Sequence, residues 1–191
     1  SGHVKRPGNY EVPLGISLRE LIDEHAGGVR DGHRIKAIIP GGASAAFFTP
    51  VHLDVKLDFE SIAQAGSMLG SGGVTVMDET TCMVWAAYNL LGFFHHESCG
   101  KCTPCREGSA WLYHILERIE HGEGRPEDLA QMERLCGNIA GKTVCAFGDA
   151  EVAPILSTLK HFRNEYEAHI REKQCPMGEH VGATHSAPLA R

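Results

Sequence analysis

The sequence predicts an α+β chain of unlike parts: a small mixed unit over residues 1–77, an all-helical unit over residues 78–172 and a disordered tail over residues 173–191. Three observations lead there. Up to Met77 the apolar pattern switches between short alternating runs and one brief helical stretch, punctuated by glycine and proline. From Asp78 apolar residues recur every three or four positions through four segments joined by short links. After Lys173 the chain is Gly, His, Pro and small polar residues, too poor in apolar groups to pack.

In the first unit, Arg6-Pro7-Gly8-Asn9 has Pro and Gly where a type II turn wants them, so Gly2–Lys5 and Tyr10–Val12 are expected to pair as a hairpin. Ser17-Leu18-Arg19-Glu20 is a capping box; it opens a helix with Leu18, Leu21 and Ile22 facing inward, and Gly27-Gly28 stops it. Arg34–Ile39 reads as a strand closed by Pro40-Gly41-Gly42. Val51, Leu53, Val55, Leu57 and Phe59 alternate with polar residues as a half-buried extended segment does, and Gly73–Met77 is a last short strand. Hairpin, helix and strands in that order fit a ubiquitin-like (β-grasp) sheet packed on one helix. The glycine-rich stretches at 40–44 and 66–73 match neither a P-loop nor a dinucleotide fingerprint, and read as tight turns.

In the second unit Asp78 and Thr80 offer N-caps for a helix over Met83–Phe94 that is apolar nearly all round. A second helix after Cys105 carries Trp111, Leu112, Ile115, Leu116 and Ile119, until glycines 122 and 124 break it. Pro126, backed by Glu127 and Asp128, opens a third with Leu129, Met132, Cys136 and Ile139 on its stripe and Gly141 at its end. A fourth begins at Asp149 and sets Val152, Ile155, Leu156, Leu159, Phe162, Tyr166 and Ile170 on one side. Four such helices make a four-helix bundle.

The bulk numbers exclude several classes of function. The chain has 191 residues with a formal net charge of -6, and no basic run reverses that sign, so nucleic acid is not an expected partner. The longest apolar run, Val84–Phe94, falls short of the roughly 18 residues that span a bilayer, and no direct membrane insertion is expected. The chain starts Ser1-Gly2-His3 without an initiator Met, as at an internal point of a longer polypeptide. Seven cysteines, an odd number with three clustered, suit a reducing compartment where thiolates stay available to metal.

The chemistry-bearing stretch is Glu97-Ser98-Cys99-Gly100-Lys101-Cys102-Thr103-Pro104-Cys105-Arg106-Glu107-Gly108. A C-x2-C-x2-C turn wraps three thiolates around one face of a 4Fe–4S cubane, and a fourth must arrive from elsewhere. Zinc competes, although structural zinc sites usually draw on two separate ligand pairs and the chain has no second C-x2-C. Cys136 lies on an apolar helical stripe, where cysteine behaves as a small hydrophobe. Cys145 lies in a glycine-flanked loop that a bulky cofactor can approach, so Cys99, Cys102, Cys105 and Cys145 form the expected ligand set. Cys82 reads as packing and Cys175 as an incidental thiol. Lys101, Arg106 and the following helix start supply positive charge; His95 and His96 are weaker candidates for ligation.

With that motif and the later Thr143-Val144-Cys145-Ala146 in view, the chain resembles the NADH-binding flavoprotein subunit of respiratory complex I. The likeness extends to Gly2-His3-Val4-Lys5-Arg6-Pro7-Gly8, Ile39-Pro40-Gly41-Gly42, the 66–73 stretch and Met77-Asp78-Glu79-Thr80-Thr81-Cys82, so that everything to about Arg171 looks like the C-terminal half of that subunit. The resemblance implies an SLBB domain, then a four-helix domain with one 4Fe–4S centre on the same four cysteines. It implies a relay of single electrons toward quinone from an FMN reduced by NADH, with Ala146 and Phe147 at positions that approach the flavin. The FMN and NAD(H) domain of the full-length subunit is absent from this chain, which should not oxidise NADH alone. The implied partners are the thioredoxin-like 2Fe–2S subunit and the large multi-cluster subunit of the peripheral arm. The implied location is the cytoplasmic face of the cell membrane, or the mitochondrial matrix side. The related flavoprotein subunits of NAD-dependent hydrogenases and formate dehydrogenases share these features, and a zinc-stapled scaffold is the reading of another class.

Overall fold

The computed structural model describes residues 1–178; most of the tail expected over 173–191 lies outside the described residues. The chain combines helices with a small sheet and divides into two units, Ser1–Thr81 and Cys82–Arg191.

In the first unit, β1 (Ile35–Ile39) and β2 (Thr75–Asp78) pair antiparallel with a bulge between Ile35 and Ala37. Ala37, Ile38, Ile39 and Val76 are buried, and Ile38 and Val76 join Leu18, Ile22, Phe48 and Ile62 in the core. The N-terminal segment bonds to distant chain instead of folding back as the expected hairpin: His3 N–H donates to the Val76 carbonyl at 2.8 Å, Val76 N–H to the Ser1 carbonyl at 3.0 Å, and Val4 bridges to Val29. The expected second arm, Tyr10–Val12, is only three residues long and ends at Pro13, while β2 offers a buried partner.

The first helix forms where the capping box placed it. Ser17 Oγ accepts from the Glu20 amide at 3.0 Å, and α1 (Leu18–Glu20) widens into one looser turn (Leu21–His25) before Gly27 and Gly28, both at positive φ, end it. The alternating 51–59 run does not form an extended segment. Val51 is 83% exposed and Phe59 61%, because Pro50 opens a short 3-10 turn and Asp58 caps an unforeseen helix, α2 (Phe59–Gln64), accepting from the Ser61 amide at 2.6 Å. Local capping outweighed the period-two pattern. The two glycine-rich stretches meet each other: a Cβ on Gly41 would lie 2.2 Å from the Met68 carbonyl, and one on Gly70 would lie 2.3 Å from that of Gly41. Close backbone approach explains these glycines without a phosphate.

Among the described residues the second unit holds four longer helices: α3 (Met83–Glu97), α4 (Thr103–Glu120), α5 (Glu127–Ile139) and α6 (Phe147–Glu172). α3 packs on α4 and α6, and α5 packs on both of those as well. Cys82, rather than Asp78 or Thr80, caps α3, its sulfur accepting from the Trp85 amide at 3.4 Å. α4 begins inside the cysteine motif, not after Cys105, since Pro104 suits a first turn and needs no N–H partner there. α6 starts at Phe147, two residues before the expected Asp149. Asp128 accepts from Arg118 Nε at 2.9 Å and from the Arg125 amide at 2.8 Å, tying α4 to the start of α5. Among the described residues no helix is long and apolar enough to cross a membrane.

Asp78 closes the first unit. Its carboxylate is buried, accepts from the Thr80 amide at 3.0 Å and Thr80 Oγ1 at 2.6 Å, and lies 2.9 Å from His3 Nδ1. Burial alone would raise its pKa; the bonds from Thr80 and the charge and bond from His3 outweigh it and hold the group at about 2, against 3.8 when free. A depressed carboxylate contributes stability above its unfolded pKa and loses it as pH falls toward the folded value. Asp78→Asn should therefore cost about 2 kcal/mol at pH 7 and flatten the acid limb of the stability profile between the two values, as chemical denaturation at a series of pH values would read.

Candidate metal centre

α3 ends at Glu97 and α4 starts at Thr103, so Cys99 and Cys102 lie on the turn between two packed helices and Cys105 in the first turn of α4. Gly100 at φ +73 lets that turn reverse. Arg106 reaches back over it, donating from Nη1 to the Gly100 carbonyl at 2.7 Å. Arg106 therefore straps the turn, whereas Lys101 is exposed.

The other wall is the loop from α5 to α6. Gly141 N–H donates to Asp149 Oδ1 at 2.8 Å, Lys142 Nζ donates to the Gly137 carbonyl at 2.9 Å, and Thr143 Oγ1 donates to the Cys145 carbonyl at 2.8 Å. Thus braced, the loop turns its Val144 amide onto Cys102 Sγ at 3.4 Å, which brings the Cys145 segment against the three-cysteine turn. Cys99 and Cys145 are exposed, Cys102 half-buried and Cys105 buried. The site is thus a cup with its rim open.

Beneath it, Cys105 Sγ lies 3.4 Å from Ser98 Oγ and 3.6 Å from Glu151 Oε2. Burial pushes the Cys105 thiol up and Ser98 pulls it down, while the Glu151 carboxylate and Cys145 push it further up. Glu151 is buried, its Oε1 has no hydrogen-bond partner, and burial raises its own pKa. Sequence gave no sign of Glu151, a lone acid on an apolar helix face. Cys136 stays away from the cup, fully buried on α5 with its thiol pushed up to about 12 by burial. His95 stacks on Tyr113 at 5.6 Å and its Nδ1 lies 3.3 Å from Ser109 Oγ, while His96 Nε2 lies 3.9 Å from Glu97; neither is among the cysteines. Ala146 is exposed, and the half-buried Phe147 packs edge-to-face on Phe94 at 5.6 Å.

The donor set fits an iron–sulfur cluster. Four thiols, none in a disulfide, come from a turn and a loop that touch. Both helices that start there are uncapped by side chains: Cys102 is the N-cap of α4 and Ala146 that of α6, and neither makes a side-chain cap bond. Unpaired N–H groups and the positive ends of two helix dipoles suit a thiolate-bound, net negative cofactor.

This fold and site define an iron–sulfur module joined to an SLBB domain, and comparison with known proteins agrees. Residues 85–169 match the NADH-ubiquinone oxidoreductase-F iron-sulfur binding region and residues 1–48 the SLBB domain. The chain is similar to F subunits of NADH-quinone oxidoreductases: it is 56% identical over 176 residues to the second such F subunit of Rhizobium meliloti and 54% identical to the F subunit of Mycobacterium bovis, in each case over 92% of this chain. It spans 42% and 39% of the length of those curated relatives. An NAD+-reducing NiFe-hydrogenase, solved in its H2-reduced state, matches 89% of this chain and 28% of its own with a TM-score of 0.79 and 30% identity.

Gly148, in the first turn of α6, permits the loop geometry: a Cβ there would meet Thr143 Oγ1 at 2.6 Å and Thr143 Cγ2 at 2.7 Å. Gly148→Ala should displace Thr143 from the Cys145 carbonyl and destabilise the chain by about 1–3 kcal/mol. Gly137→Ala, whose Cβ meets nothing within 4 Å inside α5, should stabilise it by up to about 1 kcal/mol. Denaturant unfolding of the pair checks both signs.

Proposed function

We propose that Cys99, Cys102, Cys105 and Cys145 hold one 4Fe–4S cluster, and that the chain is the C-terminal electron-relay portion of an NADH-quinone oxidoreductase flavoprotein subunit. The observation that supports this is the Val144 amide on the Cys102 sulfur, which brings the chain next to Cys145 against the three-cysteine turn. Bound there, the cluster supplies one-electron transfer between a flavin and the next iron–sulfur centre. The chain's own residues set its environment. Two helix N-termini stabilise the more negative, reduced form and so raise the potential. Burial raises the Glu151 pKa to about 7, and Cys105 Sγ donates to its Oε2 at 3.6 Å, so a buried acid lies against one of the sulfurs that would hold iron. The open rim at Cys99, Cys145 and Ala146 is where an electron donor would approach, and the Phe147 ring on Phe94 fixes the adjoining wall.

In this reading FMN and NAD(H) bind the remainder of the full-length subunit, and this chain alone oxidises no NADH. Its neighbours are the thioredoxin-like 2Fe–2S subunit and the large multi-cluster subunit, on the inner face of the cell membrane or the matrix side. The helices of residues 78–172 serve as a four-helix bundle that holds the cup, and the ubiquitin-like unit of residues 1–77 as an interface or spacer. The likeness to the NAD+-reducing NiFe-hydrogenase supports a second reading, the equivalent subunit of an NAD-linked hydrogenase; the higher identity to the quinone oxidoreductases favours the first.

Anaerobic reconstitution with iron and sulfide, then dithionite reduction and EPR, should give the paramagnetic signal of a reduced 4Fe–4S centre. Cys145→Ser should lose that signal and most of its iron, while Cys136→Ser keeps both. Equal iron in the two variants would refute the ligand assignment.

A further inference from the structure

A second group of metal-ligand side chains lies at the other end of the α3–α4 pair. Cys82 caps the start of α3, Glu120 ends α4, His169 is in the last turns of α6, and Cys175 follows α6. One ligand atom from each falls within 4.8 Å of all the others. α3 separates this group from the three-cysteine turn by fifteen residues, about 22 Å along the helix. The four therefore belong to no part of the cup.

We propose that Cys82, Glu120, His169 and Cys175 form a zinc site that staples the end of α6 to the start of α3 and the end of α4. The spacing suits one small tetrahedral ion. Metal–ligand distances of about 2.0–2.3 Å put neighbouring ligand atoms about 3.3–3.8 Å apart. Cys82 Sγ lies 3.4 Å from His169 Nε2, which lies 3.5 Å from Glu120 Oε2. The histidine is already turned for the task. His169 is 1% exposed and its Nδ1 lies 2.7 Å from the Glu165 carbonyl, which can only accept; the proton is therefore on Nδ1 and the Nε2 lone pair faces the other three ligands. A carbonyl holding the distal ring N–H is the usual support of a metal-bound histidine.

The chain also goes out of its way to deliver Cys175. Lys173 adopts a left-handed conformation (φ +54) that turns the backbone back after α6. Gly122, at φ +79, lies so close that a Cβ would sit 2.0 Å from the Lys173 carbonyl, and a Cβ on Gly124 would sit 3.0 Å from Ile170. Two glycines after α4 thus receive the end of α6 and fix the segment that carries the thiol. Two thiols, an imidazole and a carboxylate are a zinc-type set: sulfur disfavours magnesium and calcium, and the set matches neither the four-cysteine nor the two-cysteine, two-histidine ligation of iron–sulfur clusters. Binding is balanced by release of the Cys82 and Cys175 protons to solvent, leaving two thiolates and a carboxylate on Zn2+.

The test uses the full chain with its iron–sulfur cluster reconstituted. Metal analysis should find about one zinc per chain besides iron, and Co2+ added after zinc removal should give thiolate-to-cobalt charge-transfer absorption. Cys175→Ser, beyond the last helix turn, leaves the helices intact by circular dichroism and should weaken Co2+ binding at least about ten-fold; His169→Gln should do the same. Cys145→Ser should shed iron yet keep zinc, which separates this site from the cluster. Absence of zinc and of the cobalt band in the wild-type chain, unchanged affinity in Cys175→Ser, zinc lost together with iron in Cys145→Ser, or a Cys82–Cys175 disulfide in place of metal would each overturn the proposal.

Discussion

The site depends on a contact between two backbone segments far apart in sequence: the Val144 amide resting on the Cys102 sulfur. Three thiols on a short turn cover only one side of a cubane, and the fourth must be carried in on a loop rigid enough to hold it at the right depth. Helices α5 and α6 supply that rigidity from either side. Gly141, Lys142 and Thr143 are tied in turn to Asp149, Gly137 and Cys145, so the loop has little freedom left before a ligand binds.

Charge follows from the same geometry. Because Cys102 and Cys145 sit at the mouths of α4 and α6, the helix N–H groups that need a partner are gathered around the thiols. The buried Glu151 carboxyl, its pKa raised by burial, lies at the base of the cup against the most buried of the four sulfurs. Side-chain caps at these helix starts would have satisfied those donors and weakened their pull on the cofactor.

Much of the helical unit was legible because its apolar stripes are long and its breaks are glycines, and the separation of Cys145 from Cys136 was readable from periodicity alone. The small unit was less legible. Asp58 as a cap and Val76 as partner to the N-terminal segment are choices made by competition between local and distant hydrogen bonds, which a short alternating run cannot arbitrate. Glu151 and the quartet of Cys82, Glu120, His169 and Cys175 were invisible for a simpler reason: their members are isolated in sequence and meet only where helix ends are packed together. The structure converts two thiols that looked like packing and chance into neighbours of a pre-oriented histidine.

Iron K-edge X-ray absorption of the reconstituted full chain bears most directly on the cup. The account predicts a first shell of sulfur alone, with strong iron–iron scattering as in a cubane. Nitrogen or oxygen in that shell, or iron with no iron neighbour, would contradict it.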